Sequence, residues 1–352
     1  MQVYRVEVFD REFNNFYHDQ ISEPTYSEDY IEIKRNTVKC SIDENVKAGN
    51  LIIVDDGAQT FFGFVETTNI GSDSMTITYL PYLSVFNTQV LFDTDYQGSG
   101  RSLESVIKEL IEGLFVNNSD ALQNVPTIGD INLYSATTTW GFNLKSDKEG
   151  MHRCIVGLYD TIIRRAFNQY GIVVDCVPNF SSGKVDINIG VRPESTFTVE
   201  ADLKEVLSAS VKVGNVSGTV NKLLVYNDAD YSETRSYYLH TDGTYSTANS
   251  DRILPVREKM QSVSVSEGRT FAQVADSAAA DVFSGAGFDN QIVLEMLPDR
   301  FDSIKLGQMV NVIHDGVVYQ SILSKRELAA TCKFTFGCVR STLTSLLQGG
   351  RL

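Results

Sequence analysis

Short stretches of alternating apolar and polar residues dominate the first part of the chain. The first such stretch runs from Val3 to Phe9, and an Asp56–Gly57 dipeptide separates two of the later ones. Alternation with a period of two is typical of half-buried strands, and closely spaced turns between short strands are typical of small barrels and sandwiches. Residues 1–97 are therefore predicted to form a first β-barrel domain. Its further strands are predicted at residues 30–34, 37–42, 50–54, 60–65 and 74–80.

The period changes after residue 97. Apolar residues recur at every third or fourth position from Leu103 to Phe115, which predicts a helix that a serine at 99 or 102 would cap. A second helix is predicted from about Met151 to Tyr170, where Gly171 supplies a stop signal. Together with two strands, the helices predict a small α+β domain over residues 98–195. The two strands are predicted at residues 172–177 and 184–191.

Beyond residue 195 the chain is again rich in strands. One helix interrupts them at residues 270–283, and the Asp315–Gly316 dipeptide predicts a tight hairpin. We predict a second β-barrel domain from residues 196–265 and 288–347, with a helical insertion at 266–287. The fold class is therefore mainly β with α+β insertions: two related small β-barrel domains, a small α+β domain and a helix-containing insertion. The strands of the second barrel are predicted at residues 223–226, 235–240, 291–296, 309–313, 317–323 and 332–338.

Two distant segments follow the same order of features. One begins at Lys47–Ala48–Gly49 and the other at Lys305–Leu306–Gly307. Each continues with an apolar strand, an Asp–Gly turn, a second apolar strand, a polar link and an alternating strand, once one inserted residue aligns the turns. Any β-meander with tight turns would show this order. Alternatively, the chain has two related barrels. A trimer of such chains would present six similar faces, and this pseudo-sixfold ring could dock a threefold object onto a sixfold tube.

Composition narrows the class of protein. The chain has 352 residues, of which 42% are hydrophobic and 21% charged, which predicts two or three globular domains. No apolar run is long enough to span a bilayer, and the charged amino terminus does not resemble a signal peptide. We therefore expect that the protein would reach the outside of a cell only by lysis or inside an assembled particle. The net charge of −15 disfavours nucleic-acid binding, because phosphate contacts supply most of such affinity, and we expect no sequence-specific binding.

The sequence contains no recognisable catalytic, cofactor-binding or metal-binding motif. Its four histidines are scattered and favour turn and strand positions over a catalytic dyad. Paired carboxylates at Asp55–Asp56 and at Asp93 with Asp95 favour solvated turns over a calcium site. The Gly98–Ser102 stretch favours a helix cap over an anion site. We therefore predict no site residues and no enzymatic activity. The histidines are His18, His152, His240 and His314.

Cysteines and aromatic residues also favour structural roles. The five cysteines are scattered, which predicts free thiols in a reducing compartment. Cys332 and Cys338 would lie on one face of a strand about 20 Å apart, too far for a disulfide. The 16 tyrosines and 19 phenylalanines favour packing and subunit interfaces, although carbohydrate binding is an alternative.

Five stretches in the last third of the chain form a recognisable series, at residues 221–227, 237–244, 306–312, 319–323 and 334–347. Together they resemble the gp27-like family of phage baseplate hubs. In siphophages this family forms the amino-terminal region of the tail-associated lysin, also called the prophage endopeptidase tail protein. The resemblance covers roughly residues 200–347 and implies a homotrimeric ring in the virion tail tip. Such a ring joins the distal tail protein and the tape-measure protein to receptor-binding or spike proteins, and lets DNA pass.

The sequence departs from the lysin versions of this family because it reaches Leu352 without a hydrolase or fibre segment. We therefore expect a structural hub that is either a short version of the family or one whose lytic or fibre domain lies on another polypeptide. Two other functions remain open at this point. One is a tail-associated peptidoglycan endopeptidase, and the other is a carbohydrate-binding adaptor.

Overall fold

A computed structural model describes most of the chain. The described residues are 3–21, 26–55, 60–96, 100–138, 140, 142, 144, 153–193, 196–201, 204–213, 220–241, 244–265, 269–283, 290–297 and 304–338. The fold is mainly β, as the sequence predicts. Within this part of the chain no helix is both long and apolar enough to cross a membrane.

The first part of the chain forms a curled antiparallel sheet, here called the first barrel. Its strand order is β2–β1–β5–β6–β7–β4, and its inward side chains alternate with outward ones. A further strand, β3, leaves this sheet and pairs with a strand near the end of the chain. The strands are β1 (Tyr4–Phe9), β2 (Asn15–Ile21), β3 (Tyr26–Asp29), β4 (Asn36–Cys40), β5 (Leu51–Asp55), β6 (Thr60–Ile70) and β7 (Met75–Pro81).

The prediction of a strand at residues 30–34 is wrong. The strand here is β3, which ends at Asp29. The Asp29 carboxylate accepts hydrogen bonds from the backbone amides of Ile31 (2.9 Å) and Glu32 (3.1 Å) and so turns the chain. An aspartate that caps its own following amides in this way favours a turn over a continued strand. The predicted Asp56–Gly57 turn lies outside the described residues.

The middle of the chain forms the α+β unit. A two-stranded antiparallel sheet pairs β8 with β10, and a three-stranded sheet has the order β11–β12–β9. Helix α1 begins after Ser102, whose hydroxyl accepts a hydrogen bond from the Ser105 amide, as one of the two predicted caps. Gly171, with φ of 68°, ends α2 as predicted. The elements are β8 (Gln89–Asp93), α1 (Leu103–Ile111), β9 (Ile128–Leu133), β10 (Arg153–Gly157), α2 (Arg164–Tyr170), β11 (Val173–Asn179) and β12 (Lys184–Gly190).

The helix predicted from about Met151 begins later than expected. Residues 153–157 form strand β10, in which Cys154 is buried opposite Phe92 of β8 while Ile155 points outward. The helical segment starts only at Leu158, with a π-helical turn that continues into α2. The few apolar residues of this segment fit a helical pattern and a strand pattern equally well. Pairing with β8 therefore determines that the segment forms a strand. Met151 itself lies outside the described residues.

The last part of the chain forms a second curled sheet, here called the second barrel, and a separate inserted unit. The sheet has the order β13–β20–β21–β22–β19–β14, with β3 also paired to β21. Asp315 (φ 50°) and Gly316 (φ 73°) form the predicted hairpin turn between β20 and β21. The second-barrel strands are β13 (Phe197–Glu200), β14 (Val206–Val213), β19 (Asn290–Met296), β20 (Met309–His314), β21 (Val317–Leu328) and β22 (Cys332–Phe336).

The inserted unit is larger than the predicted helical insertion at 266–287. Strands at residues 222–263 pair with one another in the order β17–β16–β15–β18 and do not join the second-barrel sheet, which differs from the predicted assignment of 196–265. Helix α3 covers one face of this sheet, where Leu223 and Val225 pack with Ala275 and Ala279 in a core of their own. The elements are β15 (Lys222–Asn227), β16 (Thr234–Leu239), β17 (Tyr245–Ser246), β18 (Glu258–Val263) and α3 (Phe271–Phe283).

Candidate functional site: the joint between the two barrels

The first barrel contains a distinctive turn before β5. The backbone amide of Lys47 donates to the Asn50 side-chain oxygen (2.6 Å), and the Asn50 amide donates to the Lys47 carbonyl (3.1 Å). Gly49 lies between them with φ of 86° and donates its amide to the Val65 carbonyl (2.8 Å). The Val65 amide donates back to the Asn50 carbonyl (2.9 Å). The turn is therefore fastened to β6 at two points.

The second barrel repeats this arrangement before β20. The Lys305 amide donates to the Gln308 side-chain oxygen (3.1 Å), and the Gln308 amide donates to the Lys305 carbonyl (3.0 Å). Gly307, with φ of 79°, donates to the Leu323 carbonyl (2.8 Å), and the Leu323 amide donates to the Gln308 carbonyl (3.0 Å). Each hydrogen bond of the first turn thus has a counterpart in the second.

The strands that follow share a β-bulge as well. In the first barrel the register with β7 shifts just after Val65, and in the second barrel the register with β22 shifts just after Leu323. The strand orders β5–β6–β7–β4 and β20–β21–β22–β19 also correspond. A generic meander does not require the same side-chain cap, glycine conformation and bulge position. These shared details favour two related barrels over the generic alternative.

Strand β3 joins the two barrels directly. It is covalently part of the first barrel, yet it pairs with β21, with Tyr26 opposite Leu328 and Asp29 opposite Lys325. Glu28 of β3 forms an ion pair with Arg326 of β21, and their side chains are only 22% and 11% exposed. The ladder and the ion pair therefore connect residues almost 300 positions apart in the sequence.

Aromatic packing reinforces the same contact. The Tyr26 and Phe61 rings lie with their centroids 3.5 Å apart, and the Arg326 guanidinium lies 5.9 Å from the Phe61 ring centroid. All three side chains lie at the boundary between the barrels, whose buried residues form one continuous core. A cation over an aromatic face in a dry contact adds attraction to that of the ion pair.

The α+β unit is fastened to this joint through Tyr30. The Tyr30 hydroxyl accepts a hydrogen bond from the Val174 amide (2.5 Å), and the Tyr159 hydroxyl donates to the Tyr30 carbonyl (2.7 Å). The Tyr30 ring stacks on Phe167 at 4.2 Å. Burial raises the pKa of Tyr30 well above its usual value, so its phenol remains protonated at physiological pH.

A cavity of about 280 Å³ lies where the three units meet. Two of its charged wall residues pair with each other: Asp175 lies 2.8 Å from Arg192, and the Arg192 Nε donates to the Leu306 carbonyl (2.8 Å). Burial raises the pKa of the Cys176 thiol in its wall, which keeps the sulfur in its unreactive protonated form. The cavity wall therefore has the chemistry of a structural joint.

Comparison with known proteins gives matches in structure alone. No protein-family model matches the chain, and no curated protein matches it. A tail protein from Neisseria meningitidis MC58 aligns over 95% of this chain and 96% of its own, with a TM-score of 0.57 and 12% identity. The 43 kDa tail protein of prophage MuSo2 from Shewanella oneidensis aligns over 97% of both chains, with a TM-score of 0.54 and 10% identity.

The chain has the fold of a phage tail protein. The resemblance of the sequence to gp27-like hubs predicts such a fold, and this prediction is confirmed. The residues that build the joint of this tail-protein fold, above all Glu28 and Arg326, were not predicted. No local pattern identifies them, because their pairing depends on contacts between opposite ends of the chain.

The three histidines that the structure describes lie on or next to different strands. The His240 ring contacts the Ser250 carbonyl through Nδ1 (2.9 Å) and the Ser246 hydroxyl through Nε2 (2.8 Å). The Ser246 oxygen also accepts the Ala248 amide (3.1 Å), so the histidine fastens a turn next to β17. His314 lies in the β20–β21 hairpin and His18 on β2. His152 lies outside the described residues.

The other candidate chemical groups have structural surroundings. Asp55 forms an ion pair with Arg5 (2.5 Å), whereas Asp56 and the Asp95 side chain lie outside the described part. Among the residues that the structure describes, no three His, Cys, Asp or Glu side chains are grouped to hold a metal ion. All five cysteines are free thiols, and Cys332 donates to the Leu297 carbonyl.

Asp19 connects the two ends of the curled first-barrel sheet. Its carboxylate on β2 accepts the amide of Ser41, next to β4 (2.7 Å), and the amide of Gln20 (2.7 Å). Burial alone would raise the pKa of Asp19, but the hydrogen bonds from Ser41 and Gln20 outweigh it and lower the pKa.

We therefore expect the stabilisation by Asp19 to depend on pH. Because its pKa is lower in the folded state than the unfolded value of about 3.9, the contribution is present above that pH and is lost as pH falls through the folded pKa. Urea denaturation of the wild type and Asp19→Asn should show a difference in stability at pH 7 that shrinks below about pH 4. A difference that stays constant down to pH 3 would contradict this role.

Proposed function

We propose that this chain is a structural hub of a phage or prophage tail tip. Three copies close into a ring that links the tail tube, the distal tail protein and the tape-measure protein to receptor-binding or spike proteins, and DNA passes through its opening. The chain is assembled in the host cytoplasm and works in the virion. The proposal extends the similarity of fold to tail proteins from Neisseria and Shewanella.

The observation that supports the ring most strongly is the pair of related barrels in one rigidly joined chain. The matching turns at Gly49 and Gly307 and the matching bulges after Val65 and Leu323 favour two related barrels, which would have similar surfaces. Three chains then present six similar surfaces, which lets a threefold ring meet a sixfold tube without a mismatch of symmetry. A non-enzymatic role agrees with the structural surroundings of the histidines and cysteines.

The mass of the purified chain over a range of concentrations tests this proposal. We expect a particle of three times 39.1 kDa that dissociates on dilution and releases no muropeptides from purified peptidoglycan. A lone chain at every concentration would contradict the hub.

The same preparation separates the two other candidate functions. If muropeptides are released and Ser246→Ala or His240→Ala abolishes the release, the endopeptidase function replaces the hub. If an isolated single chain binds cell-wall glycans, the carbohydrate-binding adaptor replaces it. Ser246 and His240 are the relevant positions because the serine hydroxyl and the histidine Nε2 lie 2.8 Å apart.

A further inference from the structure

The two barrels differ at one edge. In the second barrel, the second half of β21 is paired on both sides: with β22 on one and with β3 on the other. The Tyr30 amide extends this contact by donating to the Ser324 carbonyl (2.9 Å). Leu328, at the end of the covered segment, is 5% exposed. Lys325 to Leu328 are therefore the acceptor edge for a strand that comes from another barrel.

The corresponding edge of the first barrel is open as far as the structure describes the chain. Matching the bulges aligns Val65 with Leu323 and therefore Thr67–Ile70 with the covered segment of β21. β7 pairs with this segment on one side, and no strand among the described residues pairs with it on the other. Ile70, the counterpart of Leu328, is 47% exposed. Within the described part of the chain, the position that β3 fills on the second barrel is thus uncovered on the first.

We propose that the open edge Thr67–Ile70 pairs with an extended strand of a second copy of this chain. The inference rests on the proposed ring. Within one chain, the first barrel supplies the strand that covers the edge of the second. In a closed ring of alternating barrels, the next joint runs from a second barrel to the first barrel of the neighbouring chain. Equivalent surfaces then call for the same contact at the open edge.

The chemistry of the edge suits such a partner. Unpaired amides and carbonyls on a strand edge attract another extended strand, and the backbone hydrogen bonds supply the affinity. Thr68 and Asn69 bear no charge that would repel a strand. Ile70 adds an apolar side chain, and the apolar side chain at the matching position of the second barrel, Leu328, is buried. Charged residues or proline, which usually protect free edges, are absent from Thr67–Ile70.

Two substitutions block the edge in different ways. The Ser324 carbonyl points toward β3, and the backbone groups of every second residue in a strand face the same edge. The backbone groups of Arg326 therefore face β3, and those of its counterpart Thr68 face the corresponding edge of the first barrel. Thr68→Pro therefore removes an outward amide, and proline is tolerated on edge strands when the missing N–H faces solvent. Ile70→Lys places a charge where an apolar contact is expected. Leu122→Lys is the matched control, because Leu122 is 94% exposed on the α+β unit.

We expect the wild type and Leu122→Lys to form the ring at the same concentration. Thr68→Pro and Ile70→Lys should each raise the concentration for half-assembly by about 100-fold or more while the melting temperature of the dissociated chain is unchanged. Hydrogen exchange of the amides of Thr68 and Ile70 should be slow in the ring and fast in the dilute chain. If the Thr68→Pro chain shows no melting transition and so does not fold, the assembly of Ile70→Lys decides whether the edge contact exists.

The other outcomes separate this inference from the proposed function. Variants that assemble like the wild type, or edge amides that exchange equally fast in the ring and the dilute chain, overturn the edge contact and leave the hub intact. A wild type that stays a single chain at every concentration overturns both. A strand from a different tail protein on this edge would give the first result.

Discussion

Replacing Arg326 with alanine is expected to lower the free energy of unfolding by about 3–5 kcal/mol, because it leaves the Glu28 carboxylate largely buried without its cation. The substitution also removes the guanidinium over the Phe61 ring and the packing of its aliphatic stem. Since β3 and β21 are the direct ladder between the barrels, the loss weakens their connection. Urea denaturation followed by far-UV circular dichroism measures the change.

Arg35→Ala is the matched control for this substitution. Arg35 forms a two-bond ion pair with Glu66, with distances of 2.5 and 2.7 Å, but its side chain is 67% exposed. Exposed ion pairs contribute little to stability even when their geometry is good, because water screens both charges. We expect a clearly smaller loss than for Arg326→Ala. Equal losses would mean that the contact between the barrels is no more important than a surface pair.

Replacing Gly307 with alanine is expected to destabilise the protein by about 2–4 kcal/mol, from a left-handed backbone and an overpacked contact. Its φ of 79° disfavours any residue with a Cβ, and a Cβ there would lie 2.2 Å from a Val173 methyl carbon. Val173 is buried in the core of the α+β unit, so it has little room to move. Calorimetry or chemical denaturation measures the loss.

The related position Gly49 provides the control within the same chain. Its φ of 86° imposes the same backbone strain, but a Cβ there would come no closer than 4.0 Å to Arg11. Gly49→Ala should therefore destabilise the protein by only about 1 kcal/mol. A comparable loss at both positions would show that the contact between Gly307 and Val173 does not restrict the joint.

The sequence predicts well those elements whose pattern is local. Helix α3 lies at Phe271–Phe283, close to the predicted 270–283, because its apolar face has a single interpretation. The Asp315–Gly316 hairpin follows from turn chemistry alone. The similarity of the Lys47 and Lys305 segments is visible in the sequence, and the structure adds the shared hydrogen bonds that distinguish it from a generic meander.

Elements that depend on distant partners are predicted less well. The apolar residues of β10 fit the start of a helix, but the segment forms a strand because it pairs with the edge of β8. The strands of the inserted unit have ordinary second-barrel patterns, and only their pairing with one another separates them from that sheet. β3 and the Glu28–Arg326 pair depend on contacts across the whole chain, which no local window of sequence contains.

Two-dimensional class averages of the purified chain in the electron microscope test the central claim most directly. The account predicts threefold particles with a central opening, in which each of the three chains contributes two similar barrels to the ring. Particles that remain compact single chains even at concentrations well above the one at which the ring is expected to form, with no opening in any view, would contradict it.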